Sequence, residues 1–395
     1  MLSEQAVPVV RATLPAVGGA LDQITERFYG RLFAAHPELL RDLFNRGNQA
    51  AGEQPKALAG SIATFAVALL EHPDTRPDAM LSRIAHKHAS LGVTAEQYKI
   101  VHEHLFAAIV EVLGEAVTPE VASAWDEVYW LMANALIAIE AGLYREAGVG
   151  EGQVWHSMEI AERHEETPDT VSFVLRHPDG TPTAPFRPGQ YVSVQVALPD
   201  GARQIRQYSL STAPGHPQWR ITVKRVDGDP AGEVSSWLHA HARPGDLVQV
   251  STPFGDLVLP EGDSPLLLAS AGIGSTPMLA MLDHLAATGS KRPVVVVHAD
   301  RAPVTHAHSE EMRRLVDALP QGTLHLWYEE PGDSGARPGF ADVTTLDLAT
   351  GTTAYLCGPL PFLRGVRGDL IGRGTAAADI HYEVFGPDLW LGADA

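Results

Sequence analysis

The pattern of the sequence changes at AGVGEGQ, residues 147–153, and this stretch separates two kinds of structure. Before it, apolar residues recur at i, i+3, i+4 and i+7, which is typical of amphipathic helices. After it, apolar residues alternate over short runs bounded by turn sequences such as PDG and RPG, which is typical of strands. The sequence therefore predicts an all-α region followed by β-structure.

The helical pattern covers nearly all of the first region, and its clearest segments are residues 20–35, 78–91, 95–114 and 119–147. Thr94 and Thr118 precede the last two segments, where N-capping residues are expected, and a proline follows Thr118 at the first helical position. Gly148 closes the last segment as a C-terminal cap. These signals predict long, well-delimited helices.

Two further regions follow the boundary. Six strand runs between residues 153 and 253 predict an antiparallel six-stranded β-barrel. From residue 264, apolar strands alternate with helical stretches, which predicts an α/β domain with a parallel sheet. The predicted domains are residues 1–148, 149–260 and 261–395.

Composition and charge exclude several classes of protein. The net charge of −19 argues against a nucleic-acid partner, because binding phosphates needs a basic surface. The single cysteine, Cys357, excludes an intramolecular disulfide framework and covalent haem attachment through a C-x-x-C-H motif. No apolar run reaches the roughly 20 residues that span a bilayer, and the first residues lack a signal-peptide pattern. We therefore expect a cytoplasmic protein.

Helical periodicity separates the two histidines of RIAHKHASLG, residues 83–92. His88 lies on the apolar stripe with Leu81 and Ile84, whereas His86 points to the other side of the helix. A core histidine bonded to the backbone and a metal ligand both fit the position of His88. The other histidines of the region, His36, His102 and His104, are expected to pack or to face solvent.

Two more polar residues lie on inward-facing stripes of the helical region. Tyr98 opens the stripe of one helix, and Glu140 lies among apolar residues of another. A buried carboxylate needs a partner, because an unpaired buried charge is costly. A network in which Glu140 accepts from His88 would orient a metal-bound imidazole and raise its donor strength.

Four stretches of this region resemble the globin domain of bacterial and yeast flavohaemoglobins: FYGRLFAAHPELLRDLFNRGNQ, QPKAL, KHASLGVTAEQY and IEAGLYREA. The resemblance extends over the whole chain. It implies that His88 is the proximal haem-iron ligand, backed by Tyr98 and Glu140. It also implies a set of residues on the distal side and at the haem edge: Tyr29 as the tyrosine that stabilises bound oxygen, Gln54 and Leu58 as the other distal residues, and Phe44 and Lys87 at the haem edge.

The second region carries RPGQYVSV, IRQYSLST and GEVSSWLH, which resemble the FAD-binding elements of the ferredoxin–NADP⁺ reductase superfamily. Arg206 suits pairing with the pyrophosphate, Tyr208 suits packing on the isoalloxazine, and Ser209 suits bonding to the ring edge. The resemblance implies further flavin contacts from Gln207, from Tyr191, and from the segment containing Gly232, Val234 and Ser235, whose N–H groups meet the pyrophosphate.

The third region carries AGIGSTPML and YLCGPLPF, which resemble the NAD(P)-binding elements of the same superfamily. The implied nucleotide contacts are Gly272, Gly274, Thr276, Pro277, Gly358 and Pro359, with Cys357 near the nicotinamide. Near the C-terminus, HYEVFGP resembles the segment that brings Glu383 and Phe385 to the flavin–haem junction. Two positions depart from the family: Val384, where many relatives have cysteine, and Ser275, where glutamine is frequent.

The resemblance implies a nitric oxide dioxygenase that uses haem b, FAD and NAD(P)H, acts on small molecules and needs no obligate protein partner. In this reaction NAD(P)H reduces FAD, FAD reduces the haem, and oxygen converts nitric oxide to nitrate. Two alternatives stay open: an oxygen store or sensor, and a flavin reductase for ferric iron or peroxides. The coenzyme also stays open, because Asp300 would repel a 2′-phosphate while the adjacent Arg301 would bind one.

Overall fold

A computed structural model describes residues 1–386, which form two compact units. The first unit combines residues 1–155 with residues 197–205. The second combines residues 156–196 with residues 206–385. The first unit is helical apart from the segment 197–205. The second unit contains most of one six-stranded sheet and all of another.

Seven helices form the first unit within the described residues: α1 (Ala6–Ala35), α2 (Pro37–Asp42), α3 (Arg46–Ala50), α4 (Glu53–Glu71), α5 (Asp78–Leu91), α6 (Ala95–Leu113) and α7 (Pro119–Glu146). Their apolar faces meet in one core, where Leu32, Leu81 and Ala85 are fully buried. Burying such faces stabilises the helices more than their intrinsic propensity does. The predicted all-α region is confirmed.

The predicted helix starts of α6 and α7 follow from local hydrogen bonds. Thr94 forms a capping box with Gln97, whose side chain accepts from the Thr94 N–H at 2.9 Å. Thr118 accepts from the N–H of Val121 at 3.3 Å, ahead of a proline in the first turn. Gly148 follows α7 with a φ of 70°, a conformation that glycine adopts without strain.

The first helix is longer than predicted. The sequence pattern placed its start at residue 20, but α1 begins at Ala6. Val10, Val17 and Ile24 are buried at seven-residue intervals, so the helical stripe runs through the whole segment. Pro15 inside the helix and the Gly18–Gly19 pair hide that stripe from a propensity-based prediction.

The first sheet contains β1 (Trp155–Thr167), β2 (Thr170–Arg176), β3 (Tyr191–Ala197), β4 (Arg203–Ser209), β5 (Trp219–Lys224) and β6 (Leu247–Ser251), in the order β4-β3-β6-β1-β2-β5. Its named pairs are antiparallel. A bridge between Leu210 and Ile221 joins the two edge strands, so the sheet closes into the predicted barrel. Helix α8 (Glu233–His241) follows β5.

The second sheet is the predicted parallel one. It contains β7 (Leu266–Ala271), β8 (Val294–Asp300), β9 (Gly322–Tyr328), β10 (Arg337–Pro338), β11 (Thr353–Cys357) and β12 (Ile380–Glu383), in the order β10-β9-β8-β7-β11-β12. Every pair is parallel. Helices α9 (Ser275–Ala287), α10 (Ser309–Asp317) and α11 (Leu360–Gly372) connect its strands. No helix within residues 1–386 is long and apolar enough to cross a membrane.

Candidate functional site

Three helices bring His88, Tyr98 and Glu140 together in the first unit. The Nδ1 atom of His88 lies 2.9 Å from the Tyr98 hydroxyl and 2.9 Å from Oε1 of Glu140. The Tyr98 hydroxyl donates to the same Oε1 at 2.5 Å. Glu140 is 2% exposed, so its carboxylate is removed from water and relies on these two donors.

The electrostatics of this network decide which nitrogen of His88 carries the proton. Burial, followed by the nearby charge of Glu140, raises the pKa of Tyr98 well above its usual range, so the phenol stays protonated and donates. The carboxylate of Glu140 cannot donate, so it accepts from the imidazole as well, which places the proton on Nδ1. Nε2 keeps its lone pair, and the His88 side chain is 32% exposed although Leu81 and Ala85 beside it on α5 are fully buried. This donor set fits a haem iron.

Tyr29 lies in the same unit among aromatic rings of α1 and of the segment after α2. The ring centroids of Phe28, Phe33 and Phe44 lie 4.7, 5.5 and 5.9 Å from its own. Burial raises the pKa of Tyr29 well above its usual range, which keeps its hydroxyl a hydrogen-bond donor. A single hydroxyl among aromatic rings suits the recognition of a small polar ligand.

The sequence pattern does not predict Gln49, whose side chain lies close enough to the Tyr29 hydroxyl to lower its pKa slightly against the larger effect of burial. Gln49 lies on α3, which begins where Asn45 accepts from the N–H of Asn48 at 3.2 Å. The predicted distal residues Gln54 and Leu58 lie one turn apart on α4, and both are half-buried. The N-capping Asn45 in FNRGNQ was the one available signal for a helix that would carry Gln49.

The other histidines of this unit pack as expected. His102 lies 2.7 Å from Asp126 and packs on the rings of Phe106 and Trp130, with centroids at 4.4 and 5.1 Å. His36 and His104 meet edge to face at 5.5 Å. Lys87 is half-buried beside His88 on α5, and its role at a haem edge stays a prediction.

In the second unit, β4 ends with the predicted flavin residues Arg206–Ser209. Gln207 donates to the hydroxyl of Ser193 on β3 at 2.9 Å, and Arg206 lies 3.9 Å from Glu233 at the start of α8. Burial raises the pKa of Tyr208, so its phenol stays neutral. The strand therefore presents a cation, a phenol and the buried Ser209 together.

The start of α8 has room only for glycine. A Cβ at Gly232 would lie 2.7 Å from the Ser235 hydroxyl and 2.8 Å from Cβ of Val226. Ser235 accepts from the Val226 N–H at 3.2 Å, and Val234 is fully buried, which holds the first turn in place. The N–H groups of a first helical turn have no partner in the helix, so this turn suits a pyrophosphate.

Tyr191, the other predicted flavin aromatic, is 7% exposed at the start of β3. Its main chain pairs with Phe254, and a Cβ at Gly255 would lie 3.1 Å from its ring. The position of Tyr191 is therefore fixed by the chain on both sides.

The nucleotide turn is shaped by close approach of the backbone. A Cβ at Gly274 would lie 2.3 Å from the carbonyl oxygen of Cys357, and one at Gly358 would lie 3.1 Å from Cβ of Ala271. Gly272 has a φ of 53°, and Thr276 donates to the carbonyl of Ile273 at 3.0 Å. Thr276 and Pro277 are buried in the first turn of α9, and Pro359 is the N-cap of α11.

Cys357 ends β11 and is fully buried. Its strand neighbour in register on β12 is Glu383. Burial, followed by the charge of Glu383, raises the pKa of the Cys357 thiol, so it stays protonated and unreactive. Phe385, two residues beyond Glu383, is 47% exposed.

Family models match all three regions. A globin model matches residues 26–136, an oxidoreductase FAD-binding domain model matches residues 157–258, and an oxidoreductase NAD-binding domain model matches residues 268–368. The predicted cofactors, haem, FAD and a nicotinamide nucleotide, are those of such domains.

Whole-chain relatives agree with this assignment. The chain is 42% identical to a flavohemoprotein from Chromobacterium violaceum and 41% identical to one from Rhizobium meliloti, covering 98% and 99% of this chain and 98% and 100% of theirs. A flavohemoglobin structure from Malassezia yamatoensis with bound FAD and haem matches with a TM-score of 0.90 and 38% identity, over 98% of this chain and all of that one.

Another solved structure matches the reductase part alone. It is the FAD/NAD-binding domain of a nitric oxide dioxygenase from Vibrio cholerae, with a TM-score of 0.56 and 36% identity. The match covers 58% of this chain and 98% of that one. Together with the whole-chain matches, it shows that the chain belongs to the flavohaemoproteins, oxidoreductases in which a globin domain is joined to FAD- and NAD-binding domains.

Proposed function

We propose that this flavohaemoprotein is a nitric oxide dioxygenase that uses NAD(P)H and oxygen to convert nitric oxide to nitrate. When bound, FAD takes a hydride from NAD(P)H and releases single electrons, and the haem brings oxygen and nitric oxide to react. The observation that carries the proposal is the closed network of His88, Tyr98 and Glu140. The nitric oxide dioxygenase of Vibrio cholerae, similar in its reductase part, supports it.

The network matters because it fixes the electron donation of the metal ligand. Glu140 accepts from both His88 and Tyr98, so its negative charge is directed at the proton on Nδ1. An imidazole that donates to a carboxylate is more basic at its other nitrogen. A strong donor behind the iron favours the activation of oxygen, whereas a reversible carrier gains little from it.

Tyr29 supplies a second polar group of the first unit, a protonated hydroxyl surrounded by aromatic side chains. With haem present, this phenol would donate a hydrogen bond to a small polar substrate. Tyr29 is only 7% exposed among the rings of Phe28, Phe33 and Phe44, and low exposure to water strengthens such a hydrogen bond. This arrangement supports small polar substrates such as oxygen as ligands of the first unit.

In the second unit, the chain supplies binding and orientation. Arg206 and the first turn of α8 offer positive charge and N–H groups to the FAD pyrophosphate. The turn at Gly274 and Gly358 offers main chain that a nucleotide can approach closely. These residues hold the coenzymes, while the coenzymes carry the electrons.

The test is the consumption of nitric oxide by haem- and FAD-replete protein under air with NADH or NADPH. We expect rapid, coenzyme-dependent consumption with nitrate as the product. Consumption no faster than the autoxidation of nitric oxide would overturn the proposal, and would leave an oxygen-binding protein or a reductase for other acceptors.

Two variants on α5 provide a matched comparison. His88→Ala removes the predicted iron ligand and should abolish haem-dependent nitrate formation, while NADH-dependent reduction of ferricyanide continues. His86→Ala changes the other histidine of the same helix turn and should leave both rates unchanged. Equal effects of the two substitutions would remove His88 from its assigned role.

A further inference from the structure

Two very short helices of the first unit meet at Phe44, the ring that packs against Tyr29. Helix α2 has six residues and α3 has five, and Phe44 lies between them. Helices of this length are unstable by themselves, because each end leaves main-chain groups without a partner. The position of Phe44 therefore depends on what satisfies those groups.

The side chain of Gln204 satisfies them from outside the helices. Its amide nitrogen donates to the carbonyl oxygens of Arg41 at 3.0 Å and Phe44 at 3.2 Å. Its amide oxygen accepts from the N–H of Arg46 at 3.2 Å. One side chain thus bonds the last carbonyls of α2, the main chain of Phe44 and the first N–H of α3.

Gln204 is fully buried, so these contacts replace water completely. Two ion pairs lie beside it. Asp42 accepts from the main-chain N–H of Arg203 at 3.1 Å and from its guanidinium at 2.9 Å. Arg46 and Asp200 form an ion pair at 2.6 Å. The bond from Arg41, together with Arg203, holds the pKa of Asp42 well below its usual range, so the carboxylate stays charged.

The segment that Gln204 holds contains two neighbours of Tyr29. Phe44 packs edge-on against Tyr29 and Phe33, with ring centroids at 5.9 and 5.3 Å. Gln49, on α3, is the polar side chain whose proximity to Tyr29 lowers the pKa of that phenol slightly. A shift of the α2–α3 segment would therefore move both the Phe44 ring beside the Tyr29 phenol and the polar side chain near it.

We propose that Gln204 is a positioning residue for the distal pocket, which bonds the main chain on both sides of Phe44 and thereby sets the orientation of the Tyr29 hydroxyl. This inference deepens the proposed function, because it takes Tyr29 as the residue that meets bound oxygen. It assigns the positioning of this phenol to a residue of β4 whose side chain bonds main-chain groups of Arg41, Phe44 and Arg46.

The test compares Gln204→Met, which keeps the size of the side chain and removes its donors and acceptor, with the wild-type protein. Oxygen release from the ferrous protein should accelerate about fivefold, as loss of roughly one hydrogen bond predicts. The carbon monoxide stretching frequency of the ferrous CO complex should shift towards that of Tyr29→Phe. A merely structural role would leave that frequency unchanged.

Asp200→Asn is the matched control, because it weakens the neighbouring ion pair and keeps every bond of Gln204. It should show the wild-type frequency and release rate. FAD content and ferricyanide reduction by NADH check that the flavin site of Gln204→Met is intact. A folded Gln204→Met protein with the wild-type release rate and frequency would overturn the proposal.

A measurement on the wild-type protein covers the case in which Gln204→Met does not fold. The Arg46 amide should be protected from hydrogen exchange, because it donates to the buried Gln204 side chain. Exchange as fast as that of an exposed amide would also overturn the proposal. If the wild-type protein forms no nitrate but Gln204→Met releases oxygen faster, only the dioxygenase activity is wrong and the role of Gln204 stands.

Discussion

The candidate haem site and the nucleotide turn are built in opposite ways. The site around His88 is formed by polar side chains that hydrogen-bond one another, since Tyr98 and His88 both donate to Glu140. The nucleotide turn instead depends on the lack of a side chain at Gly274, because the carbonyl oxygen of Cys357 lies 2.3 Å from where a Cβ would be. We therefore expect the first site to tolerate a change of shape better than a change of charge, and the nucleotide turn to tolerate a change of charge better than a change of shape.

The largest expected effect is that of Gly274→Ala. The new Cβ would lie 2.3 Å from the carbonyl oxygen of Cys357, so the turn must shift by about an ångström to restore an ordinary contact distance. Misplacement on this scale costs about 100-fold in rate, so reduction of the flavin by NADH should fall by at least that factor. Stopped-flow absorbance of the flavin measures it.

Gly365→Ala is the matched control, since a Cβ there meets open space on α11. It should keep the wild-type rate of flavin reduction and raise helix stability by about 1 kcal/mol. Wild-type flavin reduction in Gly274→Ala would show that the turn is not shaped by close packing.

The second effect concerns charge at the haem site. Glu140→Leu removes the acceptor of both His88 and Tyr98, and loss of such a partner typically costs about 10–100-fold in metal affinity or activity. Nitric oxide consumption should fall accordingly, and the reduction potential of the haem should rise. Glu140→Gln, which keeps the shape and one acceptor, should show a smaller change.

Glu146→Gln, an exposed substitution on the same helix, should change neither quantity. Normal consumption and an unchanged potential in haem-replete Glu140→Leu would show that the carboxylate only fills space.

The two sites also differ in how far the sequence predicts them. Periodicity places α5 over residues 78–91 and turns His88 inward, because a fourteen-residue helix spans several repeats of the pattern. Helices α2 and α3 are too short for a repeat to show, so Gln49 was missed on α3. The network around Glu140 follows from the sequence because a carboxylate on an apolar stripe demands a partner.

The barrel shows the limit of the same reasoning. The alternating pattern starts β4 at Gln207, but the strand begins at Arg203 and includes a fully buried glutamine. A polar residue in a buried position lowers the hydrophobic signal, and its reason lies in main-chain groups distant in sequence. At the nucleotide turn, the glycines are visible in the sequence, but the carbonyl that excludes a Cβ is 83 residues away, from 274 to 357.

The third effect concerns a single hydrogen bond in an apolar wall. Tyr29→Phe removes the only hydroxyl among the rings of Phe28, Phe33 and Phe44, and a hydrogen bond to a charged group contributes about 1.5–3 kcal/mol. Oxygen release from the ferrous protein should therefore accelerate roughly tenfold or more.

Flash photolysis or stopped flow measures the release of oxygen. Tyr144→Phe removes another tyrosine hydroxyl of this unit, which donates to Val93 at 2.7 Å, and should leave the rate unchanged. A wild-type rate in Tyr29→Phe would remove the phenol from the distal site.

The smallest effect tests whether charge also matters in the second unit, away from the nucleotide turn. Glu311 pairs with Arg220 at 2.9 Å and with His308 at 3.1 Å, and His308 also lies 3.4 Å from Glu166. Although burial opposes it, the bond from His308 and the charge of Arg220 lower the pKa of Glu311 from 4.5 to about 2. A carboxyl whose pKa is lower in the folded state stabilises that state at pH values above the pKa of the unfolded chain. This contribution is lost as the pH falls from 4.5 through about 2.

Glu311→Gln should therefore lower the free energy of unfolding near neutral pH by on the order of 1 kcal/mol, because the partly exposed pair is screened by solvent. The difference from wild type should shrink as the pH falls below 4.5, since the wild-type carboxyl then takes up a proton. Denaturant titration at several pH values measures it, with the exposed Glu310→Gln as the control. If the difference in the free energy of unfolding stays constant with pH, Glu311 contributes through packing rather than through its charge. The importance of charge would then be limited to the site around His88.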